Sequence, residues 1–132
     1  MIVIDSSAFA AVLFDEPDGD QFLRAMRDAG TVMVSTATVL ETRMVTYGRF
    51  GHRGTVLLDD LLSTGIFETV APDDRTTAIA FNAFVAYGKG SGHPANLNFG
   101  DVFSYALAKE RNLPLLFKGN DFSKTDIRSA LS

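Results

Sequence analysis

The sequence predicts an α/β domain: a central parallel sheet of four or five strands flanked by helices. Three observations carry this expectation. Short apolar, β-branched runs recur along the chain, each followed by apolar residues at helical spacing. Strand and helix signals alternate in order from the first residues to the last, the pattern of consecutive βαβ units. No linker, repeat or low-complexity stretch divides the 132 residues, so a single domain over residues 1–132 is expected at this length.

Met1-Ile2-Val3-Ile4-Asp5 reads as a fully buried strand that ends in a carboxylate. Ser6-Ser7 offers a cap for a helix through Ala8, Phe9, Val12 and Leu13. A second helix is expected from Pro17, with Asp18 and Asp20 at its positive end, the stripe Phe22, Leu23, Met26, and Gly30 as its stop. Residues 31–35 form the next strand candidate. Thr36 or Thr38 would cap a helix whose apolar face is Val39, Leu40, Met44 and Tyr47, closed by Gly48 and Gly51. Leu57, Leu58, Leu61 and Leu62 mark a further helix ended by Gly65, and residues 66–70 a short strand. Residues 74–87 read as helix through Ala78, Ile79, Phe81, Phe84 and Val85. Residues 88–100, with four glycines, Pro94 and His93, are the one long irregular stretch, and a loop of that length tends to be functional or mobile. A helix over 101–112 and a strand over 114–117 follow, then a turn at Lys118-Gly119-Asn120-Asp121-Phe122. The tail from Ser123 is expected to add a short edge strand or a helix.

Composition removes several classes of function. Cysteine is absent, so disulfide scaffolds, thiolate zinc sites and Cys nucleophiles are excluded, and two histidines are too few for a multi-histidine metal centre. The longest apolar run, seven residues from Ala8 to Phe14, is far short of the roughly 20 that a membrane span requires. Asp5 within the first apolar run, with no basic segment before it, argues against a secretory signal. A reducing cytoplasm is the expected location. The net charge of −4 argues against a protein that grips phosphates with lysines alone. A nucleic-acid enzyme with this charge would need a divalent cation held by carboxylates.

Four carboxylates suit that role. Asp5 and Asp121 follow strand candidates, Glu41 opens the helix after the second strand, and Asp101 opens the helix before the last. In open α/β sheets, sites form outside the carboxyl ends of strands, so all four are expected on one rim. Clustered acids raise one another's pKa unless a cation shares them, and Mg²⁺ or Mn²⁺ prefers oxygen ligands. Setting these four aside leaves as many acids as bases in the chain. Each acid taken singly reads more readily as a helix cap or turn residue, Asp5 less so because it ends an apolar strand, and it is the set of four that carries the argument.

The sequences around these acids resemble the PIN-domain ribonucleases. Ile2-Val3-Ile4-Asp5-Ser6-Ser7-Ala8 is similar to the first motif of that family and Val39-Leu40-Glu41 to the second. Residues Asn98-Phe99-Gly100-Asp101-Val102-Phe103-Ser104-Tyr105-Ala106-Leu107-Ala108 closely resemble the third. Leu115-Leu116-Phe117-Lys118-Gly119-Asn120-Asp121-Phe122, with Thr125-Asp126-Ile127, resembles the fourth. Order, spacing and length match the VapC-type toxins of toxin–antitoxin pairs over essentially the whole chain. The extended loop over residues 88–98 is the departure. The resemblance implies a Mg²⁺- or Mn²⁺-dependent endoribonuclease that inhibits growth when free and is silenced by a cognate VapB-type antitoxin, as a homodimer within the complex. Asp5, Glu41, Asp101 and Asp121 would be its catalytic metal ligands, with no side-chain nucleophile. Ser6 and Asn120, beside two of these acids, would support the ligands or contact phosphate.

Arg43, Arg49, His52 and Arg53 cluster where they could follow an RNA backbone or form a solvated helix face. His93 could touch substrate or stand exposed, and Tyr105 could face the site or a partner. A phosphoacceptor signalling domain would need an acidic pair after the first strand and an aspartate ending a middle strand. A haloacid-dehalogenase-like phosphatase would need Asp where Ser7 stands. The stronger rival is a PIN-like module that binds RNA or protein without cleaving it, which the four filled acidic positions argue against.

Overall fold

The computed structural model describes residues 1–131 and shows one layer of sheet between helices. Four parallel strands, β1 (Ile2–Ile4), β2 (Val32–Ser35), β3 (Phe67–Val70) and β4 (Leu115–Leu116), lie in the order β3-β2-β1-β4. Two helices fill each crossover. These are α1 (Ser6–Leu13) and α2 (Gly19–Ala29), α3 (Thr36–Phe50) and α4 (His52–Leu62), then α5 (Asp74–Tyr87) and α6 (Phe99–Arg111). The chain starts in the middle of the sheet, builds outward to β3, and returns to the other side of β1. The topological switch therefore falls between β1 and β4, where open parallel sheets place their sites.

Alternation along the strands divides the core. Ile2, Ile4, Val32, Val34 and Leu116 face α1, α2 and α4, together with Phe9, Phe22, Met26 and Leu58. Val3, Met33 and Leu115 face α5 and α6 and pack on Ala83, Val102, Ala106 and Leu107. Val3 pairs with both Met33 and Leu115, so β1 is buried on both faces and both edges. That explains why its sequence is continuously apolar.

Several expectations need correction. α2 starts at Gly19, two residues past Pro17. α3 is capped by Ser35, whose hydroxyl accepts from the Ala37 amide at 3.2 Å, so neither Thr36 nor Thr38 caps it, and Gly48 lies within it. Its buried stripe is Thr38, Thr42 and Thr46, whereas Leu40, Met44 and Tyr47 are exposed. The threonine hydroxyls all have partners, Thr42 donating to the Thr38 carbonyl, Thr46 to that of Arg43, and Thr38 pairing with Ser104 on α6, which makes this face safe to bury. α5 likewise buries Thr76, Ala80 and Ala83 and leaves Phe81, Phe84 and Val85 exposed. α6 begins at Phe99, earlier than its acidic residue implied. The tail makes a 3-10 turn (Phe122–Lys124) and one isolated bridge from Ser129 to Leu115. Among the described residues, no helix is long and apolar enough to cross a membrane.

Candidate active site

β1 delivers Asp5 to the carboxyl edge at the switch, where it is 2% exposed. Asp5, rather than the Ser6-Ser7 pair, caps α1: its Oδ2 accepts from the Ser7 amide at 3.0 Å and the Ser7 hydroxyl at 2.7 Å. Its Oδ1 accepts from the Ser104 hydroxyl on α6 at 2.6 Å. Ser104 Oγ lies 3.2 Å from Thr38 Oγ1 on α3, and Ser7 Oγ accepts from the Lys118 amide just past β4 at 3.0 Å. One carboxylate is thus oriented by hydroxyls that are themselves tied to α3 and β4.

Asp101 is the third residue of α6 and closes a reciprocal capping box with Asn98. Its amide donates to Asn98 Oδ1 at 2.9 Å, and its Oδ2 accepts from the Asn98 amide at 3.0 Å. Burial pushes its carboxyl up to about 7. The Asn98 hydrogen bond opposes this, and the charges of Asp5, Asp121 and Glu41 add to it. All four acids therefore share one electrostatic environment.

Glu41 sits in the second turn of α3 rather than at its start. Burial raises its pKa, a hydrogen bond with Ser6 lowers it, and Asp5 raises it further. Its Oε1 is buried with no hydrogen-bond partner, alone among buried side-chain oxygens and nitrogens of the described residues. Its carboxylate presses on Gly100 at the start of α6, where any Cβ would overlap it. Asp121 is exposed, immediately before the 3-10 turn, and its side chain caps nothing. Asn120 is exposed on the same turn, its carbonyl accepting from the Ser123 hydroxyl.

Of the other candidates, Arg53 is exposed, and the rest are engaged elsewhere. Arg43 pairs with Asp59 of α4 at 2.8 Å, and the Arg49 guanidinium lies 4.4 Å from the centre of the Phe14 ring. His52 meets the Tyr47 ring edge-on. His93 accepts from the Ala95 amide through Nδ1 and packs against Tyr87. Tyr105 donates to Asp126.

The donor set fits a hard divalent cation. It consists of carboxylates only, two of them buried, one with an orphaned oxygen and one pushed toward its neutral form by burial and, after that, by the charges of the other three. Among the described residues, no three acidic or histidine side chains stand ready-made around one ion. Binding would therefore draw the carboxylates together. Sequence reasoning missed Ser7, Ser104, Thr38 and the Glu41–Gly100 contact. Ser104 left a signal, lying three residues after Asp101 on the same helical face. Ser7 and Thr38 left none, because hydroxyls this common acquire a role only through residues distant in sequence.

This sheet order, with its acidic rim at the switch, defines a class of protein: the PIN-domain profile matches residues 2–128, and the chain belongs to that family. Its relatives over nearly full length are VapC ribonucleases. The chain is 46% identical over 126 residues to Ribonuclease VapC30 of Mycobacterium tuberculosis H37Rv, covering 96% of this chain and 95% of that protein. It is 39% identical over 130 residues to Ribonuclease VapC28 of the same strain, covering 98% of each. Among solved structures, M. tuberculosis VapC20, described as a Sarcin-Ricin loop cleaving toxin, superposes with a TM-score of 0.79 at 19% identity over 96% of both chains. A chain from the Rickettsia felis VapBC2 complex, bound to a promoter DNA fragment, gives 0.78 at 14% identity, covering 98% of this chain and 96% of that one. At those identities the superpositions show the shared fold.

Proposed function

We propose that this chain is an endoribonuclease that hydrolyses RNA phosphodiester bonds and acts as the toxin of a toxin–antitoxin pair. We infer that it works with Mg²⁺ or Mn²⁺ held by Asp5, Glu41, Asp101 and Asp121. The carrying observation is the electrostatic coupling of these four carboxylates at the switch point, with Asp5 and Asp101 buried. The near-full-length similarity to proteins named ribonucleases supports it.

A divalent cation, if held by Asp5, Glu41, Asp101 and Asp121, would supply a water of lowered pKa and positive charge to offset that of the phosphate. The chain's own residues set the conditions. Ser7 and Ser104 hold Asp5 in one orientation, Ser7 filling Oδ2 through its amide and hydroxyl and Ser104 leaving a lone pair on Oδ1. The Glu41 Oε1, with no donor of its own, is free to accept a ligand bond. Asp101 keeps its proton up to about pH 7 in the cation-free state and releases it as positive charge enters. The same acids repel RNA phosphates until they are neutralised, so cleavage is cation-dependent at the binding step as well.

The antitoxin is proposed to place an arginine or lysine among the acids, its charge standing in for the cation. The net charge of −4 favours such a basic partner. A homodimer is proposed through the apolar face beside the site, where two grooves of about 440 and 510 Å³ meet at Phe99 and Phe103. The cytoplasm is the proposed location.

The test is incubation of the purified protein with total RNA, with and without Mg²⁺ or Mn²⁺, and mapping of new 5′ ends. Discrete ends that require the cation are expected. RNA that is bound yet uncut under every condition would replace this reading with the non-cleaving module.

A further inference from the structure

The segment that carries Asp121 is tied to α6 by a contact that the four-acid site does not explain. The Asp126 carboxylate is shared between two residues one helical turn apart. Its Oδ1 accepts from the Tyr105 hydroxyl, and its Oδ2 from Lys109 Nζ at 2.6 Å. Both donors hold Asp126 below the ordinary carboxylate range, although burial works the other way. Tyr105 is buried, and its ring packs on Tyr87, which also contacts His93 in the 88–98 loop.

The tail has two other anchors. Phe122 is buried against Phe117, with ring centres 5.3 Å apart. Beyond Asp126, the Arg128 carbonyl and the Ala130 amide bond to Leu115. Asp121 itself is exposed and caps nothing, so its place relative to Asp101 depends on how this segment is held. Asp101 and Tyr105 lie one turn apart on α6. A single rigid helix thus carries one site acid and the grip on the segment bearing another.

We infer that the Tyr105–Asp126–Lys109 latch is a positioning device that holds Asp121 within reach of the cation shared by Asp5, Glu41 and Asp101. Neither Tyr105 nor Asp126 contacts substrate in this role; both act through Asp121. The inference rests on the proposed reading of Asp121 as a ligand.

The test is Mn²⁺ titration of the full chain, followed by calorimetry and by electron paramagnetic resonance of free Mn²⁺. The proteins are wild type, Asp126→Asn, Tyr105→Phe, Asp121→Asn and the Asp121→Asn, Asp126→Asn double variant, with melting curves of each. Tyr105→Phe keeps the ring packing and removes only the hydroxyl. The expected result is that Asp126→Asn weakens Mn²⁺ binding about 10-fold or more, the range for partners that orient ligands. Tyr105→Phe weakens it less, and the double variant matches Asp121→Asn within about twofold, because a latch acting through Asp121 has nothing left to position. Two results overturn the latch while sparing the ligand reading. One is wild-type Mn²⁺ affinity in Asp126→Asn while Asp121→Asn binds weakly. The other is an Asp126→Asn penalty that persists undiminished in the Asp121→Asn background. Wild-type affinity in Asp121→Asn itself would overturn the ligand reading, and the latch with it.

Discussion

At Asp101 a carboxyl is fixed by a backbone capping box and pushed toward its neutral form by burial and three like charges. The folded state keeps this proton up to about pH 7, whereas the unfolded chain releases it near the ordinary value of 3.8. Between those values the unfolded state binds fewer protons, so the stability contributed by this group falls as pH rises through that window. The metal-free protein is expected to melt at a lower temperature at pH 8 than at pH 5, and Asp101→Asn to flatten that dependence, as read by melting curves in EDTA. Asp5→Asn and Asp101→Asn are each expected to lower cleavage about 10³-fold or more while the domain stays folded. Asparagine caps α1 well, and its amide oxygen still accepts from the Asn98 amide. The cleavage rate and the melting temperature of the same samples check this. If the acids were only caps, activity would persist. At this scale the acids were legible because Asp5 ends an apolar strand and the others recur at turn or helix positions. The hydroxyls that orient Asp5 were not, since Ser104 reaches it across 99 residues of chain.

Among the elements, α3 was least legible. Its apolar positions Leu40, Met44 and Tyr47 suggested an inward face, yet the helix buries threonines. Helical periodicity locates a stripe but does not say whether the core or a partner covers it, and three threonines, two satisfied within the helix and one by Ser104, read as polar in sequence. The start of α6 was misplaced for a related reason. Asp101 looks like a residue that opens a helix but is the inner half of a capping box begun by Asn98. Its early start brings Gly100 against the Glu41 carboxylate. Gly100→Ala should therefore separate stability from function. Alanine favours the helix by up to about 1 kcal/mol, and the group it displaces is the end of a flexible side chain. Unchanged or raised melting temperature with at least about 10-fold slower cleavage is expected, because Glu41 must leave its place. Melting and rate measurements on one preparation check it.

For the molecule as a whole, the parallel sheet follows from local signals, but its strand order does not. Alternating strand and helix signals implied a parallel sheet, and a first strand apolar at every position implied a fully buried one. The return of β4 to the far side of β1 creates the switch, and no local signal announces it. Nor does the sequence distinguish aromatics of the core from those of a docking face. Phe99 is 79% exposed and Met44 66%, and with Phe81 they border the two adjoining grooves. The proposed homodimer predicts twice the mass of one chain in light scattering, and a single-chain mass once Met44→Glu and Phe81→Glu are combined. Cleavage of RNA at the acidic rim is the proposal on which the other activity predictions depend. Its most direct test is the cleavage rate of one mapped RNA as Mn²⁺ is titrated into EDTA-treated wild-type and Asp101→Asn protein. The rate is expected to rise from background and saturate in wild type, and to stay about 10³-fold lower in the variant across the titration. Equal rates in the two proteins, or full wild-type cleavage in EDTA, would contradict it.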